Sequence, residues 1–162
     1  EMTPFARFKS VIDPLDFHLH KSLMREEIPP LFNLQFNTGL WQSGHVCPKG
    51  HSDQFLLGPL NKQGKLKEHQ YHDYFIDRDH FHWQSQNSIS TNVARGQAII
   101  NHQKNGSRVH LFVRRLKLQG GKAAPFYYCG SVSYKSYEGE KPMSVTWLLD
   151  TSLPDYLLEE FK

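Results

Sequence analysis

The chain has 162 residues, 38% hydrophobic and 13% aromatic, with 19 Lys and Arg against 16 Asp and Glu for a net charge of +3. That length suits one domain, and a core leaning on large rings favours an aromatic-rich β or α+β fold over a helical bundle. The mild charge permits a polyanionic partner but excludes a histone-like basic field, and no apolar run approaches the ~18 residues that would suggest a membrane span. Glu1-Met2 leads straight into mixed polar sequence without a signal peptide. Cys47 and Cys129 are therefore expected to be reduced thiols in a cytoplasmic protein, and the chain reads as a domain excised from a longer one.

Residues 1–53 are expected to form an irregular N-terminal part, with Pro4 and Pro14 breaking any helix before a two-turn helix over Lys21–Ile28 stopped by Pro29-Pro30. Asn33 to Asp53 reads as a long loop around Trp41, either functional or mobile, or pinned to the surface by that ring. A β core over 54–150 follows. Gln54–Leu60 suits a buried strand, Asn61–Lys67 an exposed lysine turn, and His80–Gln86 another strand. Thr91 or Asn92 is placed to cap a helix from Val93 to Gln103, closed by Asn105-Gly106.

In RVHLFVRR, Val109, Leu111 and Val113 face one way while His110, Phe112 and Arg114 face the other. Phe126, Tyr128, Val132 and Tyr134 are expected to share a face, as are Met143, Val145, Trp147 and Leu149, the two segments pairing as an antiparallel hairpin across a loop of about five residues. Thr151 or Ser152 is expected to start a terminal helix within 151–162. The predicted fold is α+β: a strongly curved antiparallel sheet of about five strands, or a partial β-barrel, with two or three helices.

The candidate chemistry concentrates in Tyr71–Asn87, where Tyr71, Tyr74, Phe75, Phe81, His82 and Trp83 precede Gln84-Ser85-Gln86-Asn87. Rings stack on the face of a nucleobase, and carboxamides read its edge with a donor and an acceptor on one plane. The plainer reading is a half-buried strand with core aromatics and amides capping a helix. On a strand Phe81, Trp83 and Ser85 share a face opposite Gln84 and Gln86, so either the strand ends before Gln86 or the amides lie outside the aromatic pocket. Lys62, Lys65 and Lys67 form one basic group; Arg95 lies on the predicted helix; Arg108, Arg114, Arg115, Lys117 and Lys122 form another group suited to tracking phosphates. Arg114 and Arg115, adjacent on a strand, point to opposite faces.

His45-x-Cys47 with His51 lacks the paired second half of a zinc site. His18-x-His20 and His80-x-His82 lack the carboxylate pattern of a dinuclear centre. No Gly-x4-Gly-Lys-Ser/Thr loop and no Gly-x-Ser-x-Gly elbow occurs. No catalytic residue, metal ligand or cofactor is assigned.

The blocks YHDYFIDRDHFHWQSQNS, ARGQAIINH, VHLFVRR, PFYYCGSVSY and GEKPMSVTWLL stand in this order. Over about residues 54–150 they resemble a bacterial domain of unknown function found at the C-terminal end of superfamily II DNA helicases. That domain often accompanies a phospholipase-D-like nuclease module, and it also occurs in restriction-like nuclease fusions. The resemblance implies a DNA-binding module that targets a linked helicase or nuclease in restriction, antiviral defence or repair. At the level of fold it also looks like the PUA, EVE and SRA class of curved β-barrels, some of which read modified bases by flipping a nucleotide. In that reading Tyr71, Phe81 and Trp83 wall a base pocket, Ser85, Gln86 and Asn87 supply edge contacts, and Trp41 plugs the duplex or closes the pocket. Lys62, Lys65, Lys67, Arg95, Arg114 and Arg115 contact phosphates. The alternatives are a non-catalytic domain bracing a helicase and a metal-dependent nuclease with a histidine site.

Overall fold

The computed structural model describes residues 14–60 and 73–162. Among them an eight-stranded sheet comprises β1 (Ser22–Leu23), β2 (His45–Val46), β3 (Gln54–Pro59), β4 (Tyr74–Asp77), β5 (His80–Gln84), β6 (Val109–Arg114), β9 (Phe126–Glu138) and β10 (Ser144–Leu149). A separate ribbon joins β7 (Leu118–Gln119) to β8 (Lys122–Ala123). Four short helices accompany them: α1 (Pro14–His18), α2 (Thr38–Trp41), α3 (Ala94–Ile100) and α4 (Asp155–Glu160), with 3-10 turns at Arg25–Glu27 and Pro29–Phe32. The architecture is α+β, as expected.

The sheet runs β2-β3-β6-β9-β10-β5-β4, with β1 also on β9. It is not wholly antiparallel. β3 lies parallel to β6, Gln54 opposite Val109 and Pro59 opposite Arg114, and β4, β5 and α3 form the long crossover that parallel neighbours need. Burial on both faces makes this pairing possible: Phe55 and Leu57 enter one core while Leu56 enters the other.

The inner core collects Val109, Leu111 and Val113 of β6, Val145, Trp147 and Leu149 of β10, and Phe81 and Trp83 of β5. The outer core sets Phe112, Phe126 and Tyr128 against Ile28, Phe32 and Trp41 from the N-terminal segment. The alternation read in β6 and β10 holds. In β9 it reverses midway. Phe126 and Tyr128 face the outer core, but Cys129 and Val132 face the inner one. A bulge opposite His110–Phe112, with Gly130 at φ 87°, inserts the extra residue.

Other expectations are corrected. Pro14 opens a helix instead of preventing one, because its missing N–H is an orphan there anyway. Ser22 and Leu23 leave the expected helix to pair with Tyr127 and Phe126, and only a 3-10 turn remains before Pro29. The loop around Trp41 contains α2, capped by the Asn37 side chain, and Trp41 itself is buried on Phe55. α3 starts after Val93 and ends at Ile100, short of the expected Gln103. Neither Thr91 nor Asn92 caps it: Glu140 takes both the N–H and the hydroxyl of Thr91, and the N-cap is Val93. α4 begins only after Pro154.

The sheet curls without closing. β2 and β5 stand five strand spacings apart in the strand order, which would be about 24 Å in a flat sheet. Yet the His45 ring on β2 packs edge-on against Trp83 on β5, centroids 5.7 Å apart.

Candidate functional site

Where the curled ends approach, the C-terminal ends of β3, β5 and β6 bound a cleft of about 380 Å³. Leu57 and Pro59, Trp83 and Gln84, and Arg114 come from those three strands, and Gln42–His45 forms the facing wall. Mouths of curved sheets commonly hold ligands in this way.

Ser85 sets the arrangement of the amides. Its hydroxyl accepts the Met143 N–H at 2.9 Å and donates to the Gln86 carbonyl at 3.0 Å, and its own N–H donates to Met143 O. β5 ends at Gln84 beside this buried pin, and Gln86 lines the cleft together with Trp83 and Gln84. Gln86 Nε2 reaches Ser43 Oγ at 3.4 Å, and Gln84 Nε2 donates to Ser144 Oγ at 3.1 Å. Asp73, also on the cleft, accepts the Gln84 N–H at 2.9 Å.

The opposite side of the cleft is cationic. Arg114, only 5% exposed, lies over the Phe126 ring at 4.2 Å and donates from Nη1 to the Ala124 carbonyl at 2.9 Å. Arg25 lies over the same ring at 5.0 Å and donates to the Trp41 carbonyl. Burial and the neighbouring Arg25 charge pull the Arg114 guanidinium down to about 10. Burial likewise lowers Arg25, against the attraction of Glu26. Lys117 completes the group.

His45 forms part of the wall. Its Nε2 meets Gln54 Oε1 at 2.8 Å and Cys47 Sγ at 3.4 Å. Burial, opposed by the Gln54 hydrogen bond and helped by the Arg95 charge, lowers it to about 4. It is a neutral ring at neutral pH.

Of the residues read as base-binding, Trp83 and Gln86 meet at the cleft. Trp41, Phe81 and Ser85 do not; all three are buried, the first two as core and the third as the pin. Asn87 is exposed outside the cleft. Tyr71, Lys62, Lys65 and Lys67 lie outside the described residues. Arg114 lines the cleft, while exposed Arg115 borders a smaller cavity beside Glu160. Arg95 ties α3 to β2 through the His45 carbonyl at 2.7 Å. Arg25 and Asp73 escaped the sequence reading, since neither belongs to a motif. Lys117 stood in the basic run after β6, and Gln84 in the amide run.

Among the described residues no three His, Cys, Asp or Glu side chains are grouped to hold a metal ion. Burial pushes the Cys47 thiol up, against the Arg95 charge, which disfavours a thiolate there. A polar chain sits elsewhere in the outer core: Asp53 Oδ2 accepts from His110 Nε2 at 3.0 Å, and His110 Nδ1 accepts from the Tyr128 hydroxyl at 2.9 Å. Arg108 closes it on Asp53 at 2.9 Å.

Residues 17–161 match the family described as a domain of unknown function, DUF3427. The chain belongs to that family. No curated protein matches this DUF3427 chain. Among its described residues no helix is long and apolar enough to cross a membrane.

Proposed function

We propose that this domain is a DNA-binding module that reads a modified or flipped base in the cleft. The carrying observation is the meeting of Trp83 with the carboxamides of Gln84 and Gln86 at the mouth of the curled sheet. An aromatic wall beside planar donors and acceptors suits a nucleobase, whose extrusion costs a few kcal/mol that such a pocket must recover. The curled, open sheet supports the comparison with the PUA, EVE and SRA class. The reading extends to a linked helicase or nuclease, and to a role in restriction, antiviral defence or repair in the cytoplasm.

Trp83→Ala is a poor test, because the ring packs on Trp147 and His45 and its loss would cost about 3–5 kcal/mol of stability. Gln86→Ala removes an exposed side chain. The assay is fluorescence anisotropy on duplexes carrying N6-methyladenine, N4-methylcytosine, 5-methylcytosine or 5-hydroxymethylcytosine, with unmodified duplex and single strands as references. One modified duplex should bind more tightly at two salt concentrations. Gln86→Ala should reduce that preference about tenfold, as an edge contact of about 1–3 kcal/mol requires. Equal, salt-sensitive binding to every duplex would refute base reading.

A rival reading, a domain that braces a helicase, draws on Phe36 and Leu118, both exposed beside the cavity adjoining the cleft. It expects no DNA binding by the domain alone.

A further inference from the structure

The cleft continues into a second cavity of about 230 Å³, and Arg25, Gln42, Arg114 and Lys117 line both. The cations thus stand on the divide between two open spaces. Arg114 is the unusual member. It is 5% exposed, and its Nε has no hydrogen-bond partner among the described residues. The contacts of its guanidinium are a carbonyl at Ala124 and the face of Phe126. The next charge over that same ring is a second guanidinium, Arg25. Of the acidic residues on the two cavities, Asp73 accepts the Gln84 N–H, and exposed Glu26 lines the second cavity and attracts Arg25.

A buried cation beside a like charge is costly unless an anion joins it. The planar fork of a guanidinium matches a phosphate's oxygens. We infer that Arg25, Arg114 and Lys117 form a phosphate-binding site, and that a nucleotide seated on it directs its base toward Trp83, Gln84 and Gln86. Only the base half rests on the base-reading assignment; the phosphate half stands on the cations. The ligand class is a nucleotide phosphate, whether the monoester of a free nucleotide or a diester within a DNA strand.

The test titrates the protein, by intrinsic tryptophan fluorescence, with inorganic phosphate, the four deoxynucleosides, their 5′-monophosphates and trinucleotides without terminal phosphate. Monophosphates should bind at least tenfold more tightly than the matching nucleosides, with inorganic phosphate competing. Lys117→Gln alters an exposed side chain and should close much of that gap without changing the melting temperature. Arg25→Gln, which also gives up the Trp41 carbonyl and the Phe126 face, should close it in protein shown to be folded. Arg114→Lys, which keeps the charge but loses the fork, should weaken phosphate-bearing ligands while sparing nucleosides. Trinucleotides binding as well as monophosphates would assign the diester; monophosphates alone would assign the monoester. Monophosphates no tighter than nucleosides, or unaffected by Arg25→Gln and Lys117→Gln in folded protein, would overturn the phosphate site. Equal binding of all four monophosphates and of inorganic phosphate would keep that site and reject the base half of the inference.

Discussion

The neutral His45 ring makes stability depend on pH in a window that can be worked out beforehand. Its ordinary value of 6.5 falls to about 4 in the fold because burial disfavours the imidazolium and Arg95 repels it, with Gln54 only partly opposing. Above pH 6.5 neither the folded nor the unfolded chain carries a proton there, and the contribution is fully present. Between 6.5 and about 4 the unfolded chain takes up a proton that the folded chain refuses, so stability falls as pH falls and levels off below the folded value. At about 1.4 kcal/mol per pH unit, the gap amounts to about 3 kcal/mol. Urea unfolding followed by tryptophan fluorescence, in steps from pH 7.5 to 3.5, measures it. His20 and His110 are also lowered, by burial first, and will add to the total loss. The isolating variant is therefore His45→Gln, which removes the titration and retains a hydrogen-bonding side chain beside Gln54. Wild type should lose about 3 kcal/mol more than the variant across the window. Parallel curves would refute the buried, neutral assignment of His45, and with it the account of that wall of the cleft.

Two further substitutions probe how closely the fold is packed. Alanine normally stabilises a helix by about 1 kcal/mol over glycine, but a Cβ at Gly96 would stand 1.9 Å from Ser90 O and 2.7 Å from Ser90 C. Because backbone cannot swing aside, overpacking should exceed the propensity gain, and Gly96→Ala should be destabilising by about 2 kcal/mol or more in urea unfolding; a stabilised variant would refute the close approach. Tyr128→Phe leaves His110 Nδ1 without its hydroxyl partner in the outer core. It should cost about 1–3 kcal/mol at neutral pH, whereas an unchanged midpoint would show that the Asp53–His110–Tyr128 chain adds nothing.

What the sequence disclosed follows from how local each signal is. β6 and β10 were legible because strict alternation belongs to the strand itself, and their buried rows fall where the pattern puts them. β9 was legible only up to Gly130, since a bulge shifts the register and hides in a pattern that otherwise continues. A glycine inside a strand is its visible sign. The parallel union of β3 with β6 is set by a long crossover, and only the apolar run of Gln54–Leu60, buried on both faces, hinted at it. In the candidate site the residue types were readable and their accessibility was not. Phe81, Trp83 and Ser85 do share the expected face, yet that face is core, and Trp83 reaches the cleft only because it stands at the strand's end. Arg25 was invisible because its place comes from packing a 3-10 turn against Phe126, across a large sequence separation.

Two polar residues on the outer face of β6 show why the cationic side of the cleft calls for a ligand. His110 and Arg114 occupy the same row, separated by Phe112, and all three are buried. The fold meets the need of His110 completely, with Asp53 on one nitrogen and Tyr128 on the other. The same face can therefore supply a carboxylate to a buried base. Arg114 carries a full charge and should require one more, yet it receives a carbonyl, an aromatic face and a second arginine. Replacing such a cation by a well-packed apolar side chain is often neutral or favourable for stability, so stability alone does not account for it. What distinguishes the two positions is location: His110 is enclosed, whereas Arg114 ends its strand at the open cleft. An anion arriving there from solvent would supply the charge that the protein gives His110 from within.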